Sequence, residues 1–515
     1  MEKDWRCEVI TQGQGLILPD IWDSHVQQRP DAQFLVYEDH GCGSVRSWTY
    51  REFDEVINRT SNLFLGLGIE SGDAVALQLN NCPELIECIF ALNQIGAIYV
   101  PIHPEYTVEE AKTILADCDA RMLVIEQCFL DYDPAYGEGI ETLVVGGDCE
   151  HRCFTQLQQA QSATPPVRRR EPMPIAEILY TSGTTSTPKG VIITEQNVVF
   201  AGYYVNWQLQ MRETDRYVTT MAASHVNLQL NALAPVLTAG ATLVLLRRYS
   251  ATRFWQQVRK HRGTLVQAMA MIVKTMLAQP ESPQESEHCV REVHYFLPIS
   301  TEEKERFEAR FKVRLLNNYG STEDLVGVIT DYPTGPRRWP SIGRVGPGYN
   351  VRIMGEGGEL GPGEIGEIQV QGIPGVSLMA GYWKQPEVTA KTLAGNWLRT
   401  GDYGYFDEEG WIYFTDRHCD IIKRSGENIS CAEVESVLAR YPGVAEVAVV
   451  GVEDSIRDQA VKAVIVPEAG VQIDVDELTA FCRGHLAAFK IPSIVAFQER
   501  LPRGNYGKVL KSTLK

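Results

Sequence analysis

The feature that most constrains this chain is a run of small and hydroxylic residues at positions 178–194. The flanking pieces Ile178–Tyr180 and Val191–Ile193 are rich in β-branched or aromatic residues and predict strands. Glycine and proline between them exclude regular secondary structure. The stretch therefore predicts a loop that is held between two anchored strands.

The composition of this loop suits an anion. Gly183 lets backbone N–H groups approach the anion, and Lys189 adds a full positive charge. The hydroxyl donors are Thr181, Ser182, Thr184, Thr185, Ser186 and Thr187. Together these groups predict binding of a triphosphate. On composition alone the alternative is a flexible Ser/Thr/Gly linker. A P-loop NTPase fits poorly, because the spacing of Gly, four residues and Gly-Lys-Ser/Thr is missing.

Length and charge limit the class of protein. A chain of 515 residues predicts two to four domains. No segment approaches the roughly 18 consecutive apolar residues of a membrane helix, and the start lacks the features of a signal peptide. We therefore expect a soluble, cytoplasmic protein without a membrane span. The net charge of −18 and the lack of a basic stripe argue against nucleic-acid binding.

The twelve cysteines do not form a regular framework, so we interpret them as free thiols. The segment 149–153, Cys-Glu-His-Arg-Cys, has the residue types of a metal site. It lacks a second ligand pair at zinc-like spacing, which argues against a metal there.

Strand and helix patterns alternate in the first half of the chain. Examples are the strand pattern at 74–79, the helix pattern at 83–94 and the strand pattern at 98–101. This alternation predicts an α/β fold with a mostly parallel sheet that is covered by helices on both faces. A turn and a strand at 361–372 indicate a smaller β-rich subdomain.

Three further motifs carry groups that fit a nucleotide. The segment from Asn318 to Glu323 offers an aromatic face for a base and a hard carboxylate for Mg²⁺. Asp402, in Thr-Gly-Asp, can accept two hydroxyl hydrogen bonds, as a ribose requires. Lys508 follows a glycine near the end of the chain. Taken singly, these motifs also fit surface turns and a solvated lysine.

In this order, the four motifs resemble the signatures of the adenylate-forming superfamily, which contains acyl-CoA synthetases, luciferases and peptide-synthetase adenylation domains. The resemblance covers nearly the whole chain. It implies a large N-terminal domain, residues 1–418, of parallel-rich sheets plus the β-rich subdomain. A small mobile α+β lid, residues 419–515, follows. ATP, Mg²⁺, coenzyme A and a small carboxylic acid are the implied ligands, and the oligomeric state stays open.

The resemblance also implies roles for individual residues. Lys508 bridges the acid carboxylate and the α-phosphate, and Glu323 and Thr184 act in catalysis and hold Mg²⁺. Cys419 stands at the lid hinge, where the superfamily usually has Asp or Lys. The remaining nucleotide-binding and CoA-binding candidates are Thr181, Ser182, Gly183, Thr185, Lys189, Asn318, Tyr319, Gly320, Thr322, Asp402, Arg417, Ser425, Gly426 and Glu427.

The predicted acyl pocket contains His225, Tyr295, Phe296 and Trp207. Tyr295 and Phe296 replace two glycines of the superfamily, which favours a short acid. Within the superfamily, the chain is similar to the ligases of crotonobetaine, carnitine and γ-butyrobetaine. Aromatic side chains on the helix after the loop are candidates for holding a trimethylammonium group, although such a stripe also fits ordinary core.

The resemblance implies a two-step reaction, in which an acyl-adenylate forms first and coenzyme A then displaces AMP. One alternative is a CoA ligase for another short-chain acid. A stand-alone adenylation enzyme that loads a carrier protein, or a luciferase-like oxygenase, represents a different class.

Overall fold

The computed structural model describes residues 13–132, 137–147, 152–167, 174–181, 188–297, 299–417, 421–468, 470–502, 509 and 511–515. Within these ranges the strands form four sheets. Three sheets belong to the part of the chain before residue 418, and the fourth belongs to the part after residue 420. We call the latter part the lid.

The strands are, in chain order, β1 Gln33–Asp39, β2 Ser44–Thr49, β3 Ala74–Gln78, β4 Ile98–Pro101, β5 Met122–Glu126, β6 Glu141–Val145, β7 Ile175–Thr181, β8 Lys189–Thr194, β9 Arg216–Thr219, β10 Thr242–Leu246, β11 Leu265–Met269, β12 Glu292–Phe296, β13 Leu315–Tyr319, β14 Ile329–Thr330, β15 Arg344–Val345, β16 Asn350–Gly355, β17 Gly358–Glu359, β18 Gly366–Gln371, β19 Gly381–Tyr382, β20 Leu393–Ala394, β21 Trp397–Phe406, β22 Ile412–Arg417, β23 Ile421–Arg424, β24 Glu427–Ser430, β25 Val444–Asp454, β26 Asp458–Pro467 and β27 Ile494–Phe497.

The α-helices are α1 Leu18–Gln28, α2 Tyr50–Gly66, α3 Pro83–Ile95, α4 Val108–Asp117, α5 Gln127–Tyr132, α6 Phe154–Gln159, α7 Glu195–Leu209, α8 Val226–Leu228, α9 Ala234–Ala239, α10 Phe254–Lys260, α11 Ala270–Leu277, α12 Thr301–Phe311, α13 Pro386–Thr392, α14 Cys431–Leu438 and α15 Val475–Arg483. A π-helical turn, Gln229–Leu233, joins α8 to α9, and short 3₁₀ turns occupy Pro283–Ser286, Ala488–Lys490 and Lys511–Leu514.

Two large sheets carry most of the N-terminal part. The nine-stranded sheet has the order β15-β14-β13-β12-β11-β9-β10-β1-β2, and the seven-stranded sheet has the order β19-β8-β7-β4-β3-β5-β6. The pairs from β13 through β12, β11, β9 and β10 to β1 are all parallel. Strands β3 and β10 are buried along their whole length, as parallel strands covered on both faces must be.

Helix starts agree with local side-chain chemistry. The side chains of Thr49, Thr107, Thr194 and Ser300 each accept a hydrogen bond from the backbone N–H three residues on. In return, the residue at that third position accepts from the backbone N–H of the capping residue. These reciprocal caps satisfy backbone donors that the first helical turn leaves free.

The last two sheets are smaller. One runs β17-β16-β18-β21-β20, with β22 paired to β21. The lid sheet runs β24-β23-β26-β25, with β27 paired to β26, and packs its own apolar cluster against α14 and α15. The predicted fold class is therefore confirmed. The domain boundary at 418/419 stays a prediction, because residues 418–420 lie outside the described ranges.

A search of the described residues found no helix with both the length and the apolar character needed to cross a bilayer.

One buried tyrosine ties α7 to the wall of the central cavity described below. Tyr204 is fully buried, and its hydroxyl donates to the carbonyl oxygen of Gly327 at 2.7 Å. Its ring packs against Phe200 and Tyr349. The aromatic stripe on α7 therefore includes a core residue at this position.

We expect Tyr204→Phe to lower the free energy of unfolding by about 1–3 kcal/mol, because it leaves a buried carbonyl without its donor. Urea denaturation of the variant measures this change. Tyr203→Phe, at a half-buried position on the same helix, is the control and is expected to change stability by less than about 0.5 kcal/mol. Equal losses in the two variants would contradict a special role for this hydrogen bond.

Candidate active site

A cavity of about 430 Å³ lies where parallel strands of both large sheets end. Thr181 ends β7, Met269 ends β11, Phe296 ends β12, and Gly320 follows β13. All four residues line the cavity. Ligands bind beyond the carboxyl ends of strands in open α/β sheets, so the position of this cavity fits a binding site.

A buried tyrosine contacts one of the carboxylates that line the cavity. The hydroxyl of Tyr319 donates to Oδ2 of Asp402 at 2.7 Å. Burial, and then the charge of Asp402, raise the pKa of Tyr319 well above its usual range, so the phenol stays protonated as the donor. In the ladder between β21 and β22, Asp402 stands opposite Arg417. The side chain of Arg417 lies outside the described part of the structure.

The neighbouring wall carries a second carboxylate. Oε1 of Glu323 accepts a hydrogen bond from the hydroxyl of Tyr382 at 2.9 Å. Nζ of Lys189 lies 5.4 Å from the centroid of the Tyr382 ring. Thr181 and Lys189 face each other in the β7–β8 ladder, so the two ends of the hydroxyl-rich loop are adjacent. A cation, a hydroxyl and a carboxylate thus meet at one wall.

Gly320 and Asn318 have structural tasks on this wall. A Cβ atom at Gly320 would lie 2.1 Å from the carbonyl oxygen of Val326, so this close approach of two backbone segments requires glycine. Asn318 was predicted to contact a ligand. Its side chain instead donates to the carbonyl oxygens of Tyr295 and Leu316, within a buried polar network.

Part of the cavity lining is apolar. It includes Phe296 and Leu297, and two amides, Asn227 and Asn231, add polar groups. His225 lines this cavity and also a smaller adjoining one. The lining further includes Val226, Leu325, Val326 and Gly327.

Two residues predicted for the acyl pocket lie elsewhere. Tyr295 neighbours Phe296 on β12, and successive side chains of a strand point to opposite faces, so Tyr295 is buried on the other side. Its hydroxyl has no hydrogen-bond partner among the described residues. Trp207 packs its ring between Tyr204 and Tyr332, away from the cavity. Neither Tyr295 nor Trp207 is among the described residues that line the cavity, and their assignment to the acyl pocket stays a prediction.

A tight turn of the lid, Ser425–Asn428, reaches into the cavity. Gly426 and Asn428 are part of its lining. Ser425 and Gly426 both have positive φ, at 52° and 92°. A Cβ atom at Gly426 would lie 2.8 Å from the sulfur of Met269, and L side chains rarely adopt a φ of 92°, so the conformation of this turn favours glycine.

Glu427 holds this turn against the N-terminal part. Its Oε2 lies 2.7 Å from Nε2 of His225, and its Oε1 lies 3.2 Å from Nε2 of His103. Burial opposes the charge on Glu427, but the two imidazoles outweigh burial and hold its pKa well below the usual 4.5. Burial lowers the pKa of His225, and the nearby carboxylate more than restores it, to above 6.5.

Several predicted residues lie outside the described ranges. They are Ser182, Gly183, Thr184 and Thr185 of the loop, the hinge candidate Cys419, and Lys508. Their roles stay predictions from the sequence. Thr322, in contrast, lines both the main cavity and the smaller one beside it.

Two residues of the site were not predicted from the sequence. Tyr382 reaches Glu323 from β19, a two-residue strand that pairs with β8. His103 meets the lid turn from the segment after β4. Neither belongs to a motif with its own chemistry. A spacing pattern does not reveal such residues, because tertiary pairing alone brings them to the site.

The described residues contain no group of three or more His, Cys, Asp or Glu side chains that is suited to a metal ion. Mg²⁺ at nucleotide sites is usually held by one or two carboxylates together with substrate phosphates. Glu323, already oriented by Tyr382, fits that simpler arrangement.

The chain matches the AMP-binding enzyme family over residues 22–383 and the AMP-binding enzyme C-terminal domain over residues 433–508. It therefore belongs to the AMP-binding enzyme family. Crotonobetaine/carnitine–CoA ligase of Citrobacter koseri is 44% identical over 521 residues, which cover 97% of this chain and 99% of that ligase.

Two solved structures of o-succinylbenzoate CoA synthetase from Bacillus subtilis are informative about the lid. The double mutant bound with its product analogue has a TM-score of 0.86, with 27% identity over 96% of this chain and 98% of that one. The complex with the acyl-adenylate intermediate has a TM-score of 0.70, with 27% identity over 96% and 97%. The chain as a whole therefore superimposes better on the product-analogue complex.

The contact between Glu427 and His225 makes lid docking dependent on pH. His225 has a raised pKa in the docked state, so its contribution to docking is complete below the ordinary pKa of 6.5 and is lost as pH rises through the raised value. At the acidic end, the contribution of Glu427 is lost as pH falls from 4.5 through its lowered pKa.

We expect the docked fraction of the lid to fall as pH rises above 6.5. Energy transfer between a probe at exposed Ile494 of the lid and a probe at exposed Leu65 measures this fraction. Glu427→Gln serves as the control, and its profile should be flatter than that of the wild type from pH 6 to 9, because the contact between His485 and Glu109 remains. A wild-type profile that is equally flat would contradict the role of this ion pair.

Proposed function

We propose that the chain is an AMP-forming acid–thiol ligase that activates crotonobetaine, carnitine or γ-butyrobetaine and transfers the acyl group to coenzyme A. The observation that carries this proposal is the shared cavity. Thr181, Glu323 and Asp402, which suit a nucleotide, line the same space as Gly426 of the lid turn. A nucleotide site and a mobile lid at one apolar pocket are the parts that a two-step ligase needs.

In the first step, the acid carboxylate attacks the α-phosphate of ATP, and pyrophosphate leaves. Tyr319 and Asp402 hold the nucleoside end, and Glu323 would hold Mg²⁺, which would neutralise phosphate charge when bound. Two anions must approach each other, so a cation directed at both lowers the barrier where negative charge accumulates. We assign this task to Lys508 from the superfamily resemblance.

In the second step, the thiol attacks the acyl carbonyl and AMP leaves. The chain contributes no covalent nucleophile, and its role is to bring the reacting atoms together. The lid turn suits this step, because Gly426 permits close approach of the backbone beside Met269. The similarity to the product-analogue complex supports assigning the described lid orientation to thioester formation.

The proposal of a betaine substrate rests on the similarity to the relative of 44% identity and on the apolar residues of the cavity lining. Proteins commonly hold trimethylammonium groups against aromatic faces. Among the lining residues that the structure describes, Phe296 and Tyr382 are aromatic, and Tyr382 is engaged with Glu323. We therefore assign the recognition of the cation to Phe296.

The substrate test is a comparison of crotonobetaine with its neutral isostere 5,5-dimethylhex-2-enoate, which keeps the shape and removes the charge. We expect kcat/KM to favour crotonobetaine by about 2- to 30-fold, which corresponds to roughly 0.5–2 kcal/mol for one cation–π contact. In Phe296→Leu this preference should shrink to about twofold or less. A pyrophosphate-release assay over both acids supplies the values.

Tyr295→Leu is the matched control, since Tyr295 is the neighbouring aromatic residue on the opposite face of β12. It should leave the preference for the cation unchanged. Equal kcat/KM for the two acids in the wild-type protein would reduce the proposal to a ligase for another short-chain acid.

Lys508→Ala tests the assignment of the first step. Adenylation should fall by about 10²–10³-fold, because the lost charge acts where the transition state accumulates negative charge. Thioester formation from supplied acyl-adenylate should change by less than about threefold. Single-turnover assays of each half-reaction provide the comparison, with the exposed Lys515→Ala as control. Equal loss in both steps would refute the assignment.

The second candidate function is a stand-alone adenylation enzyme that loads a carrier protein. Both functions predict acid-dependent release of pyrophosphate. They differ in the release of AMP: CoA alone should trigger it in the proposed ligase. A requirement for a carrier protein would favour the second candidate.

A further inference from the structure

Two consecutive glutamates at the start of α4 contact three basic residues of the lid. Oε1 of Glu109 lies 3.1 Å from Arg440, and Oε2 lies 2.6 Å from Nδ1 of His485. Oε1 of Glu110 accepts a hydrogen bond from Nζ of Lys490 at 2.7 Å. These contacts lie outside the cavity, and neither glutamate is part of its lining.

Lys490 is the most enclosed member of this cluster. Its side chain is only 1% exposed, and Nζ also reaches Oε1 of Glu433 in the lid at 2.7 Å. The same ammonium lies 4.2 Å from the ring centroid of Tyr106. Lys490 therefore sits between one carboxylate of its own lid and one carboxylate of the N-terminal part.

The carboxylate of Glu110 is oriented by contacts within the N-terminal part, independently of the lid. Its second oxygen, Oε2, accepts from the backbone N–H of Thr107 at 2.8 Å and from the Thr107 hydroxyl at 2.9 Å. This is the cap of α4, so the carboxylate is already oriented. A partner that is held in place loses less side-chain entropy when the contact forms.

The far end of α4 is anchored to the body. Tyr180, the residue before Thr181 at the end of β7, donates its hydroxyl to the carboxylate of Asp117. The indole of Trp383 donates to the backbone oxygen of Asp117 at 3.1 Å. The helix thus presents Glu109 and Glu110 from a rigid position.

We propose that Glu109 and Glu110 are positioning residues that dock the lid in the orientation in which Ser425–Asn428 enters the cavity. They act through the lid and set the rate of the thioester step, without contacting substrate. This inference rests on the two-step ligase function proposed above. Loss of these charges slows the second half-reaction and spares the first.

Glutamine substitution isolates the charge from the helix cap. Gln at the third helical position preserves the capping box, so Glu110→Gln keeps the start of α4 and removes the charge and the acceptor that face Lys490. Glu110 is more enclosed than Glu109, whose side chain is 49% exposed, so its removal should have the larger effect.

The experiment measures both half-reactions with crotonobetaine in single-turnover assays. We expect adenylation to stay within twofold of the wild type in both variants. Thioester formation from supplied acyl-adenylate should slow about tenfold in Glu110→Gln and about two- to threefold in Glu109→Gln. Glu55→Gln, at an exposed position of α2, is the matched control and should leave both steps unchanged.

Charge-reversal variants distinguish a loss of lid docking from a general structural defect as the cause of a slower thioester step. Glu109→Arg and Arg440→Glu should each slow the thioester step by about tenfold, and the double variant should recover to within threefold of the wild type. Absence of this recovery, or equal losses in the two half-reactions, would overturn the inference.

Energy transfer between the probes at Ile494 and Leu65 measures the docked fraction of the lid without requiring catalysis. Glu110→Gln should lower the docked fraction, and an unchanged fraction would overturn the inference. A wild-type protein that forms no thioester with any acid would refute the ligase function, while this measurement would still decide the role of Glu110.

Discussion

The cavity depends on one constraint of backbone geometry: parallel strands joined by crossover connections end at the same edge of a sheet. Strands β11, β12 and β13 are parallel neighbours and end at Met269, Phe296 and Tyr319. The seven-stranded sheet brings the end of β7, at Thr181, to the same space. Residues far apart in the chain therefore meet because of strand direction.

The residues that line the cavity come from two parts of the chain, the strand ends and the lid. The strand ends belong to the two large sheets, whereas Gly426 and Asn428 come from the turn Ser425–Asn428 of the lid. Glu427 of that turn contacts both His103 and His225 of the N-terminal part. In the two-step reaction proposed above, exchange of this turn would let one cavity serve successive reactions.

The sequence predicted those parts of the site whose chemistry is local. A hydroxyl-rich loop, a Tyr-Gly-Ser-Thr-Glu turn and a Thr-Gly-Asp turn have residue types that indicate their chemistry. Among the described residues of these motifs, Thr181, Lys189, Gly320–Glu323 and Thr400–Asp402 line the cavity, and Tyr319 contacts Asp402. The α/β class followed from the alternation of strands and helices. These inferences needed no knowledge of tertiary contacts.

Sequence reasoning is weakest where the face of a strand or helix decides which side chains line the cavity. Tyr295 and Phe296 were treated as equivalent, but adjacent positions on a strand point in opposite directions, and only Phe296 lines the cavity. Trp207 lies on a helix whose cavity-facing side was not identifiable from its aromatic stripe. Tyr382 and His103 were missed because their partners, Glu323 and Glu427, are distant in sequence.

The contacts between lid and body are largely ionic, and turnover gives a physical reason. An apolar interface of about 600 Å² would stabilise one orientation by on the order of 15 kcal/mol, which no rotation within a catalytic cycle overcomes. The exposed pair of Glu109 with Arg440 contributes only about 0–1 kcal/mol, because water solvates both charges again on separation, whereas breaking the buried contact of Lys490 with Glu110 costs more. Lys490 keeps Glu433 as a partner within the lid when Glu110 is released. Such an interface specifies one orientation by the positions of its charges, yet leaves the other close in free energy, which a two-step reaction in a single cavity requires.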